Sequence, residues 1–166
     1  MIAYIDESKS KNYLLALNLV LPGDQTLLRK TLNTQLLAGQ RSFHFRKESK
    51  RRRNQIVQKL LSLDIRVVIF SLKGKSDIEA RKCLITHVRK NLRKLEISSL
   101  VFELDQSCFV SDVRLLNQLR PEVNWDHRER HLEPLLWVAD AVAWCVNRGG
   151  EWERMVRPLI LQTIEC

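Results

Sequence analysis

Met1-Ile-Ala-Tyr4-Ile5-Asp6-Glu7-Ser8 opens the chain as a short apolar run that stops abruptly at two carboxylates and a hydroxyl. The β-branched and aromatic side chains of Ile2, Tyr4 and Ile5 favour a buried strand over residues 1–6. The run is too short for the apolar stretch of a secretory signal, and no basic residue precedes it. A strand that crosses a core and delivers acids at its carboxyl end is one way in which an α/β protein builds a site. Adjacent strand residues point to opposite faces, so Asp6 is the acid expected in the site, with Glu7 turned away.

Outward from this strand, residues 8–12 are polar and read as a turn, and residues 13–21 form an apolar strand suited to mid-sheet. The short connection makes the pair an antiparallel hairpin, which Pro22-Gly23 ends. Asp24 caps a helix over residues 24–37, where Leu27, Leu28, Leu32, Leu36 and Leu37 share a face. A second helix covers 49–63, a strand 65–72, a helix 76–95 and a strand 97–104, with Asp105 directly after it. Further on come a short helix at 110–119, a short edge strand at 121–126 and a strongly apolar helix at 133–147. An amphipathic helix over 151–164 closes the chain, with Pro158 weakening its middle. A hairpin followed by alternating strands and helices specifies an α/β fold, here one domain spanning 1–166, with helices covering a mixed sheet.

The 166 residues carry a net charge of +9, which favours a polyanionic partner, with nucleic acid (DNA or RNA) ahead of an anionic membrane surface. No apolar stretch approaches the roughly 20 residues needed to span a bilayer. Cys83, Cys108, Cys145 and Cys166 are scattered without C-x-x-C spacing, which removes zinc-ribbon and thioredoxin readings. Reduced thiols and a cytoplasmic location follow most simply. The glycine motifs of P-loop, dinucleotide-binding and serine-hydrolase folds are missing.

Three acids draw attention together. Asp6 and Asp105 each follow an apolar strand, and Asp140 lies among Val138, Ala139, Ala141 and Val142. A buried carboxylate has to be paired, protonated or metal-bound. The alternative for Asp140 is a wet polar stripe, since Glu133, Asp140 and Asn147 recur at sevenfold spacing. Gathered carboxylates suit Mg²⁺ or Mn²⁺, hard cations that support phosphoryl transfer and relieve the repulsion between the acids. His44, between Phe43 and Phe45, reads either as a general acid/base or metal neighbour, or as a surface residue of a short strand whose Phe43 and Phe45 alternate into the core. Arg46, Arg51, Arg52 and Arg53 follow. Such a run is more often a solvated helix face, but basic residues at a helix start oppose its dipole, which adds some weight to phosphate contact.

Tyr4-Ile5-Asp6-Glu7-Ser8 and Leu136-Trp137-Val138-Ala139-Asp140-Ala141-Val142-Ala143 resemble the two ends of domain-of-unknown-function family 3800. Members of that family open with Tyr-Ile-Asp-Glu-Ser-Gly and close on a Leu-Gln-Leu-Ala-Asp helix. The resemblance runs through essentially the whole chain and implies a ribonuclease H-like fold, in which Asp6, Asp105 and Asp140 stand at the superfamily's metal-binding positions. It implies a fourth acid as well, for which Glu48 is the nearest match and Glu7 the second. Lys9 replaces the usual glycine, and Trp137 the usual glutamine. The expectation is a Mg²⁺- or Mn²⁺-dependent nuclease acting on DNA or RNA. Its rivals are a non-catalytic nucleic-acid-binding module and a protein-interaction domain of the same fold.

Overall fold

The computed structural model describes residues 1–119 and 123–166, and among these six strands form one mixed sheet. They are β1 (Ile2–Lys9), β2 (Tyr13–Val20), β3 (Arg66–Leu72), β4 (Ser99–Glu103), β5 (Asn124–Arg128) and β6 (Ile160–Glu165), in the order β5-β4-β1-β2-β3-β6. β1, β2 and β3 are antiparallel neighbours, whereas β4 runs parallel to β1, β5 to β4 and β6 to β3. The central position of β2 explains its largely apolar sequence, since all eight of its residues are buried, and the one polar side chain, Asn18, donates to the Leu135 carbonyl.

Six α-helices accompany the strands: α1 (Gln25–Asn33), α2 (Lys50–Leu61), α3 (Asp77–Asn91), α4 (Phe109–Leu116), α5 (Leu135–Arg148) and α6 (Glu151–Val156). The period-two alternation of β1 divides the core in two. Tyr4 joins Ala16, Ile69, Val101 and α5 on one face of the sheet. Ala3 and Ile5 join Leu15, Phe70, Phe102 and α3 on the other. α5 is apolar on nearly every side because it lies over β1 and β2 with other segments packed around it, and Leu136, Trp137 and Val138 have no exposed surface. Burying one such side chain stabilises the fold by about 1.5–3 kcal/mol. A capping box fixes the start of α3, with Ser76 accepting from the Glu79 amide and Glu79 accepting from the Ser76 amide.

Several boundaries differ from the sequence reading. β1 continues to Lys9, so Asp6 and Glu7 lie within the strand. Its parallel pairing with β4 stops at Ile5 opposite Phe102, and the two strands fork open just where Asp6 and Glu103 follow. α1 ends at Asn33, four residues short of the expected limit. The edge strand falls at Asn124–Arg128, and residues 121 and 122 of the expected 121–126 lie outside the described residues. The largest correction is at the end of the chain, where the expected helix over 151–164 stops at Val156 and a strand takes over from Ile160. Pro158 cannot donate into a continuing helix, and α6 gives way to a 3₁₀ turn at Arg157–Leu159. From there Ile160, Gln162 and Ile164 are half-buried while Leu161, Thr163 and Glu165 are exposed, a strand period that lets β6 pair with β3. No helix among the described residues is long and apolar enough to cross a membrane.

Candidate functional site

The fork between β1 and β4 places two carboxylates on the α5 face. Asp6 shares the parity of Tyr4, and Glu103 that of Val101. Asp140 arrives from α5, which lies against β1. All three meet at the guanidinium of Arg130, which stands on a 3₁₀ turn (Arg130–Leu132) just before α5. Arg130 Nε donates to Glu103 Oε1 at 3.0 Å and Nη2 to Glu103 Oε2 at 2.5 Å. Nη1 donates to Asp140 Oδ2 at 2.6 Å, and Nη2 to Asp6 Oδ2 at 3.1 Å. Trp137 Nε1 donates to the Arg130 carbonyl at 2.8 Å and so pins the turn.

Asp140 is 5% exposed and well supplied with donors. His44 Nδ1 lies 3.2 Å from Asp140 Oδ2, and the Phe45 amide donates to the same oxygen at 2.9 Å. Burial alone would raise its pKa, but the His44 hydrogen bond, the Arg130 charge and the Phe45 amide together hold it below the usual carboxylate range. Asp6 goes the other way. Burial first, then the charges of Asp140 and Glu103, hold its carboxyl well above the usual range, against the pull of Arg130. Arg130 is itself raised: burial opposes its charge, and the three acids more than offset that. Three carboxylates against one guanidinium leave the cluster short of positive charge.

His44 is held by its neighbours. Phe43 and Phe45 are fully buried, Phe43 against Trp137 with ring centroids 4.9 Å apart and Phe45 against Trp144 at 5.4 Å. Both aromatics are core residues, as one of the two sequence readings had it, but the segment is irregular rather than a strand and turns His44 onto Asp140. Its side chain is 40% exposed, which leaves the far side of the ring open to solvent.

The remaining candidates scatter. Asp105 follows the end of β4 and folds onto its own loop, its Oδ1 accepting from the Ser107 amide at 2.8 Å and the Ser107 hydroxyl at 2.7 Å. These two bonds hold its pKa low, and it makes no bond to Arg130. It nonetheless lines the same cleft, of about 410 Å³, as Asp6, Glu7, Glu103, Gln106 and Arg130. Glu7 turns to the opposite face, where it pairs with Arg81 and, at 2.7 Å, with Lys9. Glu48 accepts from Gln40 at 3.1 Å, away from the three acids. Arg53 is committed to its own neighbourhood: Nε donates to the Phe45 carbonyl, Nη2 to the Arg46 carbonyl, and its guanidinium lies 4.5 Å from the Trp144 ring centroid. Arg46 and Arg51 are exposed, and half-buried Arg52 leaves Nε and Nη2 without a hydrogen-bond partner.

The sevenfold stripe, which starts at Glu133 just before α5, is buried rather than wet. Glu133 meets Arg29 and Arg128, Asp140 the cluster just described, and Asn147 ties down the hairpin through Ser8, Lys11 and Asn12. The sequence reading passed over Glu103 and Arg130. The signal for Glu103 was a charge in an apolar strand at the parity of Val101. Nothing set Arg130 apart from the basic residues around it.

Donor chemistry at the cluster fits a hard divalent cation, since three carboxylates converge on one cationic position. As the side chains stand, no group of three acidic, histidine or cysteine residues among those described is arranged to hold a metal ion. The guanidinium stands between the acids.

No family model and no curated protein matches the chain. A solved structure described as the PCNA:RNase HII complex from Archaeoglobus fulgidus matches with a TM-score of 0.59 and 19% identity, over 95% of this chain and 76% of that one. The fold is therefore α/β and ribonuclease H-like, a mixed sheet flanked by helices. The fold implied by the sequence resemblance is the one observed, while the narrower family has no matching model.

Proposed function

We propose that this ribonuclease H-like chain is a divalent-metal-dependent nuclease that cleaves phosphodiester bonds of DNA or RNA. The observation that carries the reading is the convergence of Asp6, Glu103 and Asp140 from β1, β4 and α5 on one cationic position. Oxygens of these three side chains would hold Mg²⁺ or Mn²⁺, with Asp105 at the rim of the cleft. The ion would supply charge stabilisation at the phosphoryl group and an acidified water. His44, oriented through Nδ1 by Asp140, is placed to hold or pass a proton at its solvent-facing nitrogen. Exposed Arg46 and Arg51 would receive the phosphate backbone, while Arg53 braces the loop that carries His44 and Arg52 keeps its Nε and Nη2 buried.

A rival reading has its own observation. Arg130 already fills the cationic position, as in a fold that binds nucleic acid without cutting it. The two separate on labelled single- and double-stranded DNA, RNA and hybrid incubated with Mg²⁺, Mn²⁺ or EDTA. The nuclease reading expects metal-dependent products, lost in Asp140→Asn. Salt-dependent retardation of the same probes with no cleavage under any metal would favour the rival.

A further inference from the structure

We infer that Arg130 is an exchangeable stand-in for the metal: its guanidinium holds the three carboxylates together in the metal-free protein and leaves them when a divalent cation binds. The inference rests on the metal-holding reading above and adds to it how that site is controlled. Four Arg130 hydrogen bonds take both oxygens of Glu103 and one each of Asp6 and Asp140, so the guanidinium fills the position where an ion shared by all three acids would sit. Occupancy by guanidinium and by metal is therefore mutually exclusive.

The backbone of Arg130 need not move for the exchange. Its carbonyl is fixed by Trp137, and the 3₁₀ turn is closed by the Leu132 amide donating to Glu129 and the Glu133 amide donating to Arg130. Only the side chain has to swing. Its route is open, because the side chain is 17% exposed and lines the cleft between Asp6 and Gln106. The cluster also prefers the exchange electrostatically, since one guanidinium under-compensates three acids and a divalent ion does so less. Once released, Arg130 sits at the cleft mouth as an unpaired guanidinium, with the fork geometry that recognises phosphate. Metal loading would thus turn an internal cation into a substrate contact.

Competition of this kind lowers the apparent metal affinity by the fraction of molecules in which the arginine is out. Mn²⁺ binding measured by calorimetry on the whole chain tests it, with wild type, Arg130→Gln, Asp140→Asn and the double variant compared. The inference expects Arg130→Gln to bind Mn²⁺ about tenfold or more tightly than wild type, corresponding to an arginine that is out in roughly a tenth of molecules or fewer. It also expects Asp140→Asn to abolish binding in both backgrounds. Equal or weaker binding by Arg130→Gln, beside clear binding by wild type, would overturn the exchange and leave the metal reading standing. No binding by either protein would overturn the metal reading itself. Undiminished binding by the double variant would place the ion elsewhere and overturn both. If Arg130→Gln does not fold, the Arg130 Nε–H resonance of wild type is followed during Mg²⁺ titration. Loss of its hydrogen-bonded shift supports exchange, and a saturating titration that leaves it in place contradicts it.

Discussion

Arg81 and Arg130 stand on opposite faces of the sheet at the same end, and each gathers acids around its guanidinium, buried for Arg81 and half-buried for Arg130. Arg81 donates to both oxygens of Asp112, at 2.8 and 2.6 Å, pairs with Glu7, and reaches the Tyr13 hydroxyl at 3.4 Å. His127 approaches Asp112 at 3.3 Å, and Lys9 takes the other side of Glu7. Two acids there meet two permanent cations, and Asp112 has no exposed surface. Arg130 meets three acids, with His44 beside Asp140, at the edge of an open cleft. Adjacent residues of a single strand, Asp6 and Glu7, feed the two clusters. A charge-balanced, more deeply buried cluster stabilises the fold, whereas an under-compensated, more exposed one is poised to accept another cation.

The sharpest break in this comparison is Asp112→Asn. Removing one partner of a buried pair leaves Arg81 uncompensated, and an unfolding titration should show a loss of about 3–5 kcal/mol. The same residue gives a pH signature. Burial works to raise its pKa, but bonds from Arg81 and His127 keep it lowered. A carboxyl that is lower in the folded state adds stability above its unfolded pKa of about 3.9 and loses it as pH falls through the folded value. Wild type should therefore lose stability below about pH 4 more steeply than Asp112→Asn does.

A smaller loss, about 1–3 kcal/mol, is expected for Arg130→Gln without metal, because its cluster reaches solvent. Millimolar Mn²⁺ should recover the melting temperature of Arg130→Gln and leave that of Asp112→Asn unchanged. Recovery of both would erase the distinction between the faces. His44→Gln should change stability by less than about 1 kcal/mol while slowing cleavage by roughly 10²-fold or more, read as a fall in kcat. Trp137→Phe removes the bond that pins the Arg130 carbonyl and should cost about 1 kcal/mol. Asp105→Asn is the smallest change, within about 0.5 kcal/mol, and should leave Mn²⁺ affinity near that of wild type.

Much of the fold was legible in residue periodicity. The apolar run of β2 announced a central strand, and Asp140 among alanines and valines announced a buried carboxylate that needed partners. The carboxyl-terminal strand was not legible, because Leu159, Ile160, Leu161 and Ile164 satisfy helical as well as strand spacing and only the pairing of β6 with β3 decides between them. The site was half legible. Asp6, Asp140 and His44 converge, but β4 supplies Glu103 where the acid following the strand had been expected. Strand ends are set by pairing: β4 stops at Glu103, and the Ser107 bonds then turn Asp105 onto its own loop. Arg130 was illegible because its role depends on a turn that brings a residue between β5 and α5 back over the fork of β1 and β4.

The most direct test is a crystal of the protein grown with Mn²⁺ and measured at the manganese absorption edge. The account predicts an anomalous peak bounded by Asp6, Glu103 and Asp140, with the Arg130 side chain turned out into the cleft. Arg130 still bridging the three acids, with no peak between them at saturating Mn²⁺, would contradict it.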